Sequence, residues 1–120
     1  MVNTEQAGQP GRLSVRTDVV DGTLVVAVAG EIDHQTGGSL RKALDPLEGA
    51  APRVVIDLSD VTFMDSSGIN ILIAVQSGLA ESGGWLRLAG AAPAVLRIIR
   101  LVGIDGFIDC HPTVQQALGN

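Results

Sequence analysis

The chain has 120 residues, 46 % of them hydrophobic but only 2 % aromatic, which allows one domain with a core of Val, Ile, Leu and Ala. A net charge of -5 repels phosphate backbones and anionic lipid, and one Trp, two Phe and no Tyr leave little to stack bases, so nucleic acid and membrane surfaces are not expected partners. Cys110 is the single cysteine, which excludes an internal disulfide and a closed thiolate metal site; no metal or cofactor is expected, and no apolar run approaches the roughly 18 residues that span a bilayer.

Residues 1–12 are polar and aperiodic, which predicts a disordered extension without the apolar block of a secretion signal, and a cytoplasmic location follows by default. From Leu13 the pattern alternates, with Leu13, Val15 and Val19 on one side and Ser14, Arg16 and Asp18 on the other. Asp21-Gly22 is a tight hairpin signal, and Thr23 to Gly30 (TLVVAVAG) is apolar on both faces, as an interior strand is. Leu40, Ala43, Leu44 and Leu47 then recur at helical spacing, with Gly37 and Gly38 weakening the start and Pro46 ending or kinking the helix near Asp45.

Arg53 to Leu58 (RVVIDL) has the length and β-branching of a strand. The stretch from Val61 to Ile73 reads as a strand end, a polar turn Asp65-Ser66-Ser67-Gly68, and an apolar helix through Ile69, Leu72, Ile73 and Gln76 to about Ser82, stopped by Gly83-Gly84. Ser oxygens accept from the free N–H groups of a helix start, so Ser66 is the N-cap candidate. Trp85 to Ala89 is a strand, and Pro93 opens a helix with Val95, Leu96, Ile99 and Val102 inward and Arg97 and Arg100 outward. Gly103 stops it, Phe107 to Cys110 is a final short strand, and Pro112 starts a helix through Leu118.

The order β-β-α-β-α-β-α-β-α predicts an α/β domain over residues 13–118, a single mixed and mostly parallel sheet with an antiparallel N-terminal strand and about four helices. Function in such sheets gathers at the carboxyl ends of strands, so the segments after Gly30, after the strand preceding Asp65, and at Gly90 should converge on one surface.

Two stretches, Gly30-Glu31-Ile32-Asp33-His34-Gln35-Thr36 and Phe63-Met64-Asp65-Ser66-Ser67-Gly68, carry a resemblance to the bacterial anti-sigma factor antagonists and their STAS fold, over about residues 13 to 118. The resemblance implies that the Ser after the Asp, here Ser66, is phosphorylated by the anti-sigma factor, a serine kinase that binds the ATP. The unphosphorylated form would bind that kinase and free the sigma factor, and a serine phosphatase would reset the switch. Partner-facing residues on this reading are Asp33, His34, Thr36, Asp65, Ser66, Ser67, Gly68 and Asn70. The chain departs from the common pattern at Asn70, where the family often has Gly, and at Gly37-Gly38.

Asp33 has two readings, one near the acceptor hydroxyl or the kinase and one capping the first helix. Asp65 is expected to shape the turn. Alternatives to a sigma-factor switch are a STAS regulatory module of another partner-switching pathway and, remotely, a serine hydrolase using Ser66, His34 and Asp33, although the G-x-S-x-G elbow is absent. A phosphoaspartate receiver would need a Lys beside its acceptor, and Lys42 is the chain's one Lys; nucleotide-binding glycine motifs are also missing.

Overall fold

Alternation of β-branched residues with helical apolar stripes produces five strands and four α-helices in the computed structural model, which describes residues 13–44 and 53–119. In chain order they are β1 (Leu13–Val20), β2 (Thr23–Ile32), α1 (Gly37–Leu44), β3 (Arg53–Met64), α2 (Ser66–Glu81), β4 (Trp85–Ala89), α3 (Pro93–Leu101), β5 (Asp109–His111) and α4 (Val114–Gly119), with a 3-10 turn at Ile104–Gly106. The sheet order is β1-β2-β3-β4-β5; β1 and β2 are antiparallel and every other pair is parallel. The expected mixed, mostly parallel sheet is the observed one.

Period-2 alternation sorts the strands between two cores. Val26 and Val28 of β2, Val54, Ile56 and Leu58 of β3, and Leu86 and Leu88 of β4 join Leu40 and Leu44 of α1, Leu72 and Leu79 of α2, and Val95 and Ile99 of α3. On the other face Val55 and Ala89 meet Ala117 of α4, with Val25, Trp85, Val114 and Leu118 packed around them. Arg87 fastens α4 from this side: its guanidinium carbon lies 3.8 Å from the centroid of the Trp85 ring, and its Nη1 donates to the Ala117 carbonyl at 2.8 Å.

Local signals explain the turns. Asp21 and Gly22 take φ of 51° and 80°, the type I′ pair that matches the twist of the flanking strands. After α2, Gly83 is left-handed, its N–H donates to Ala80 and the Gly84 N–H to Leu79, a Schellman stop.

Several boundaries differ from expectation. β2 runs on to Ile32 and β3 to Met64, because the two strands continue to pair through register shifts between Ala27 and Ala29 and between Gly30 and Glu31. Such irregularities hide the carboxyl half of β3 from a period-2 reading. β5 is displaced to Asp109–His111, since the 3-10 turn takes up Ile104–Gly106, and α4 begins at Val114 rather than Pro112. Val19 and Val102 are not inward: they are 65 % and 53 % exposed, lying near the ends of β1 and α3 where the described residues leave them largely uncovered. The extension at residues 1–12 and the helix end at Asp45, Pro46 and Leu47 lie outside the described residues.

Candidate functional site

The carboxyl ends of β2 and β3 finish side by side, Ile32 opposite Met64, and each passes straight into a polar loop. The Asp65 N–H donates to the Ile32 carbonyl at 3.1 Å, which ties the second loop to the first. Asp65 has extended backbone, and its Oδ1 accepts from the Ser67 N–H at 2.8 Å. Asp65 is therefore the N-cap of α2, which corrects the expectation for Ser66; Ser66 is instead the first helical residue. Both residue types can cap, and the strand runs to Met64, so the residue at the junction takes the role.

Ser66, the first helical residue, is exposed, and its hydroxyl has no hydrogen-bond partner among the described residues. Ser67 is half-buried and Asn70 is exposed one turn further along. Gly68 is buried, and the reason is spatial: a Cβ there would lie 2.6 Å from Met64 Cγ and 2.8 Å from Ile32 Cγ2. The start of α2 thus rests directly on the paired strand ends.

The first loop is held by Thr36, which is 3 % exposed. Its hydroxyl donates to the Glu31 carbonyl at 2.7 Å and accepts from the Asp33 N–H at 2.9 Å. Asp33 Oδ1 accepts from the N–H groups of Gln35 and Thr36 at 2.9 and 3.0 Å. Of the two readings of Asp33, these bonds fit the one in which it shapes the entry to α1. His34 and Gln35 are exposed at the loop tip. Gly37 is buried where a Cβ would meet Ile71 Cδ1 at 3.0 Å, so it lets the start of α1 approach α2 closely. Gly38 has open space around it.

Thr36→Val keeps the shape and removes the hydroxyl that bonds the Asp33 N–H and the Glu31 carbonyl. The expected cost is about 1–3 kcal/mol, read as a lower urea midpoint; Thr36→Ser, which restores the hydroxyl, should recover most of it. An unchanged midpoint for the Val variant would contradict this account of the loop.

The eight residues singled out from sequence therefore divide. His34, Ser66 and Asn70 are exposed, whereas Thr36 and Gly68 are buried and Asp33, Asp65 and Ser67 are partly so. Phe63 was missed: it precedes this turn, pairs with Glu31 across the strands, and is 48 % exposed. Alternation could have found it, since an inward Met64 turns Phe63 outward. No hydrogen bond joins the Ser66 hydroxyl to His34, and among the described residues no group of three or more His, Cys, Asp or Glu is placed to hold a metal ion.

Gly90, at the end of β4, is left-handed with φ of 71°, and beyond it lies a separate groove of about 400 Å³ lined by Leu88, Ala91, Leu96, Arg100, Cys110 and His111. Burial raises the Cys110 thiol above its ordinary value of 9.0, Asp105 and Asp109 add to the effect, and Arg100 opposes it. A raised thiol favours the folded state while neutral, so this stabilisation is complete below the ordinary thiol pKa and is lost as pH rises from there through the raised value. The expected result is an alkaline fall in melting temperature that Cys110→Ala flattens. Identical pH profiles for the two proteins would refute it.

Among the described residues no helix is long and apolar enough to cross a membrane. A family model described as STAS domain matches residues 14–117. The anti-sigma-F factor antagonist RsfB of Mycobacterium tuberculosis is 31 % identical over 110 residues, covering 91 % of this chain and 89 % of its own. The anti-sigma-B factor antagonist of Bacillus subtilis is 29 % identical over 99 residues, covering 81 % and 91 % respectively. Among solved structures, an anti-sigma factor antagonist from Mycobacterium paratuberculosis superposes with a TM-score of 0.84 at 35 % identity, covering 92 % of this chain and 94 % of that one.

Proposed function

The chain belongs to the STAS domain family, and from that premise we propose that it is an anti-sigma factor antagonist switched by phosphorylation of Ser66. The observation that carries the reading is the placement of Ser66, exposed at the first position of α2 beside an Asp65 that already caps the helix. A hydroxyl with no internal partner is accessible to a second protein. Unmodified, the surface around it binds an anti-sigma factor and releases the sigma factor. The domain spans residues 13–118, with residues 1–12 as an extension before it, and it works in the bacterial cytoplasm.

The chemistry belongs to the partner, a serine kinase that holds ATP. Ser66 Oγ attacks the γ-phosphorus, the bond to the β-phosphate oxygen breaks, ADP leaves, and the hydroxyl proton passes to a base on the kinase. A serine phosphatase hydrolyses the product and restores the binding form. This chain is substrate and ligand rather than catalyst. Contacts come from the exposed His34, Ser66, Asn70 and Phe63, while Asp33, Thr36, Asp65, Ser67 and Gly68 hold those contacts in place.

Mass spectrometry of the protein incubated with candidate anti-sigma kinases and ATP tests the assignment. One phosphoryl group on the peptide containing Ser66, lost in Ser66→Ala, is the expected result. Stoichiometric modification elsewhere with Ser66 bare would overturn it.

A further inference from the structure

The two edges of the sheet are finished differently. β5 offers three residues, Asp109–His111, whereas β1 offers eight, Leu13–Val20, without a Pro or a Lys to blunt them. Register shows which backbone groups β1 leaves over. Val20 and Thr23 close the two-residue hairpin and are a hydrogen-bonded pair, so Val20, Asp18, Arg16 and Ser14 spend their N–H and C=O groups on β2. Those of Val19, Thr17, Val15 and Leu13 point away from the sheet. Consistent with this, the Val19 N–H is taken by the neighbouring Asp18 Oδ1 at 2.9 Å rather than by a strand.

We propose that this edge pairs antiparallel with β1 of a second copy of the chain, about a two-fold axis at Thr17. The charge pattern selects that register. Centred on Thr17, Arg16 of each copy stands opposite Asp18 of the other, in non-hydrogen-bonded positions where side chains approach most closely. Centred one residue either way, Arg16 would face Arg16 or Asp18 would face Asp18. Thr17 then pairs with Thr17 and Val15 with Val19 of the second copy, using the outward backbone groups. Val19, 65 % exposed in the single chain, is covered by that pairing. Asp18 gives up the Val19 N–H, which the second copy's Val15 carbonyl accepts, and its carboxylate turns to Arg16. The product is a closed dimer with one continuous ten-stranded sheet, twice the five of one copy.

Sedimentation of the full chain over a range of concentrations tests this. Native protein should associate to a dimer that salt weakens, while Arg16→Asp and Asp18→Arg each lose affinity for themselves by about tenfold or more. An equimolar mixture of these two variants should regain it, since every cross-strand pair is again opposite in charge. Thr17→Pro removes an outward N–H without touching the β2 ladder and should sediment as a monomer. Circular dichroism confirms that each variant is folded. A native chain that stays monomeric up to about millimolar concentration, beyond the range of weak affinities, or single charge variants that dimerise like the native chain, would overturn the proposal.

Discussion

Phosphorylated chain is expected to bind its anti-sigma factor about a hundredfold more weakly than bare chain, and Ser66→Asp about tenfold more weakly, while Ser66→Ala binds like the native protein and takes up no phosphate. A hundredfold change requires about 2.7 kcal/mol. Removing an unpaired ion from water at an interface costs several kcal/mol, so the modified side chain suffices without help from a distant rearrangement. A phosphoserine carries roughly -1.5 to -2 charge near neutral pH, and Asp carries one, hence the smaller effect of the mimic. The charge is added beside Asp65 on a chain already at -5.

The helix should survive this. Asp65 provides the cap, so modifying Ser66 displaces no existing bond, and a dianion at the first helical residue meets the favourable end of the helix dipole, worth about 0.3–1 kcal/mol when exposed. Amide spectra of the two forms should differ around Asp65 to Ile69 and the adjoining Ile32 to Gly37 loop. Shifts spread across β1, β4 and β5 would contradict a local switch, and equal affinities for bare, phosphorylated and Asp forms would end the Ser66 assignment.

Gly68→Val is expected to destabilise the domain by about 3 kcal/mol, the largest effect of any glycine replacement near the site. The added Cβ would sit 2.6 Å from Met64 Cγ and 2.8 Å from Ile32 Cγ2, close to the roots of side chains that are themselves in the core. Neither can swing aside cheaply. Gly68→Ala gains helix propensity of at most about 1 kcal/mol and still meets both contacts, so its net effect is smaller but of the same sign. Gly38→Ala should go the other way: nothing lies within 4 Å of its Cβ, and it should stabilise by a few tenths to about 1 kcal/mol. Chemical denaturation of the three variants reads the contrast directly. A Gly68→Val protein as stable as the native one would show that α2 does not rest on the strand ends as described.

What the sequence disclosed about these features follows from how local each signal is. The Asp21-Gly22 turn, the Gly83 stop and the Pro93 start are set by residues within a turn of one another, and each stands where the pattern put it. The full length of β3 depends on pairing with β2 through two register shifts, which no local pattern contains. The cap moved by one residue for the same reason, because placing the strand end at Met64 decides between two adjacent residues that can both cap. Exposure of Val19 and Val102 was likewise hidden, since an apolar residue at the end of an element looks the same in sequence whether or not anything covers it. The motif singled out Ser66, but the division of labour around it was not legible: Thr36 and Gly68 look polar and permissive in one dimension and prove to be buried.

Trp85 is the chain's single tryptophan, and it stands at the amino end of β4 beneath the guanidinium that also grips the last helix. Its indole emission is thus a native gauge of whether α4 is seated. Because the strand to which it belongs runs away from it, parallel to β3 and so toward the end of the sheet that carries Ser66, that gauge reads the quiet pole of the domain, and loosening there can be watched without a label while the other pole is engaged.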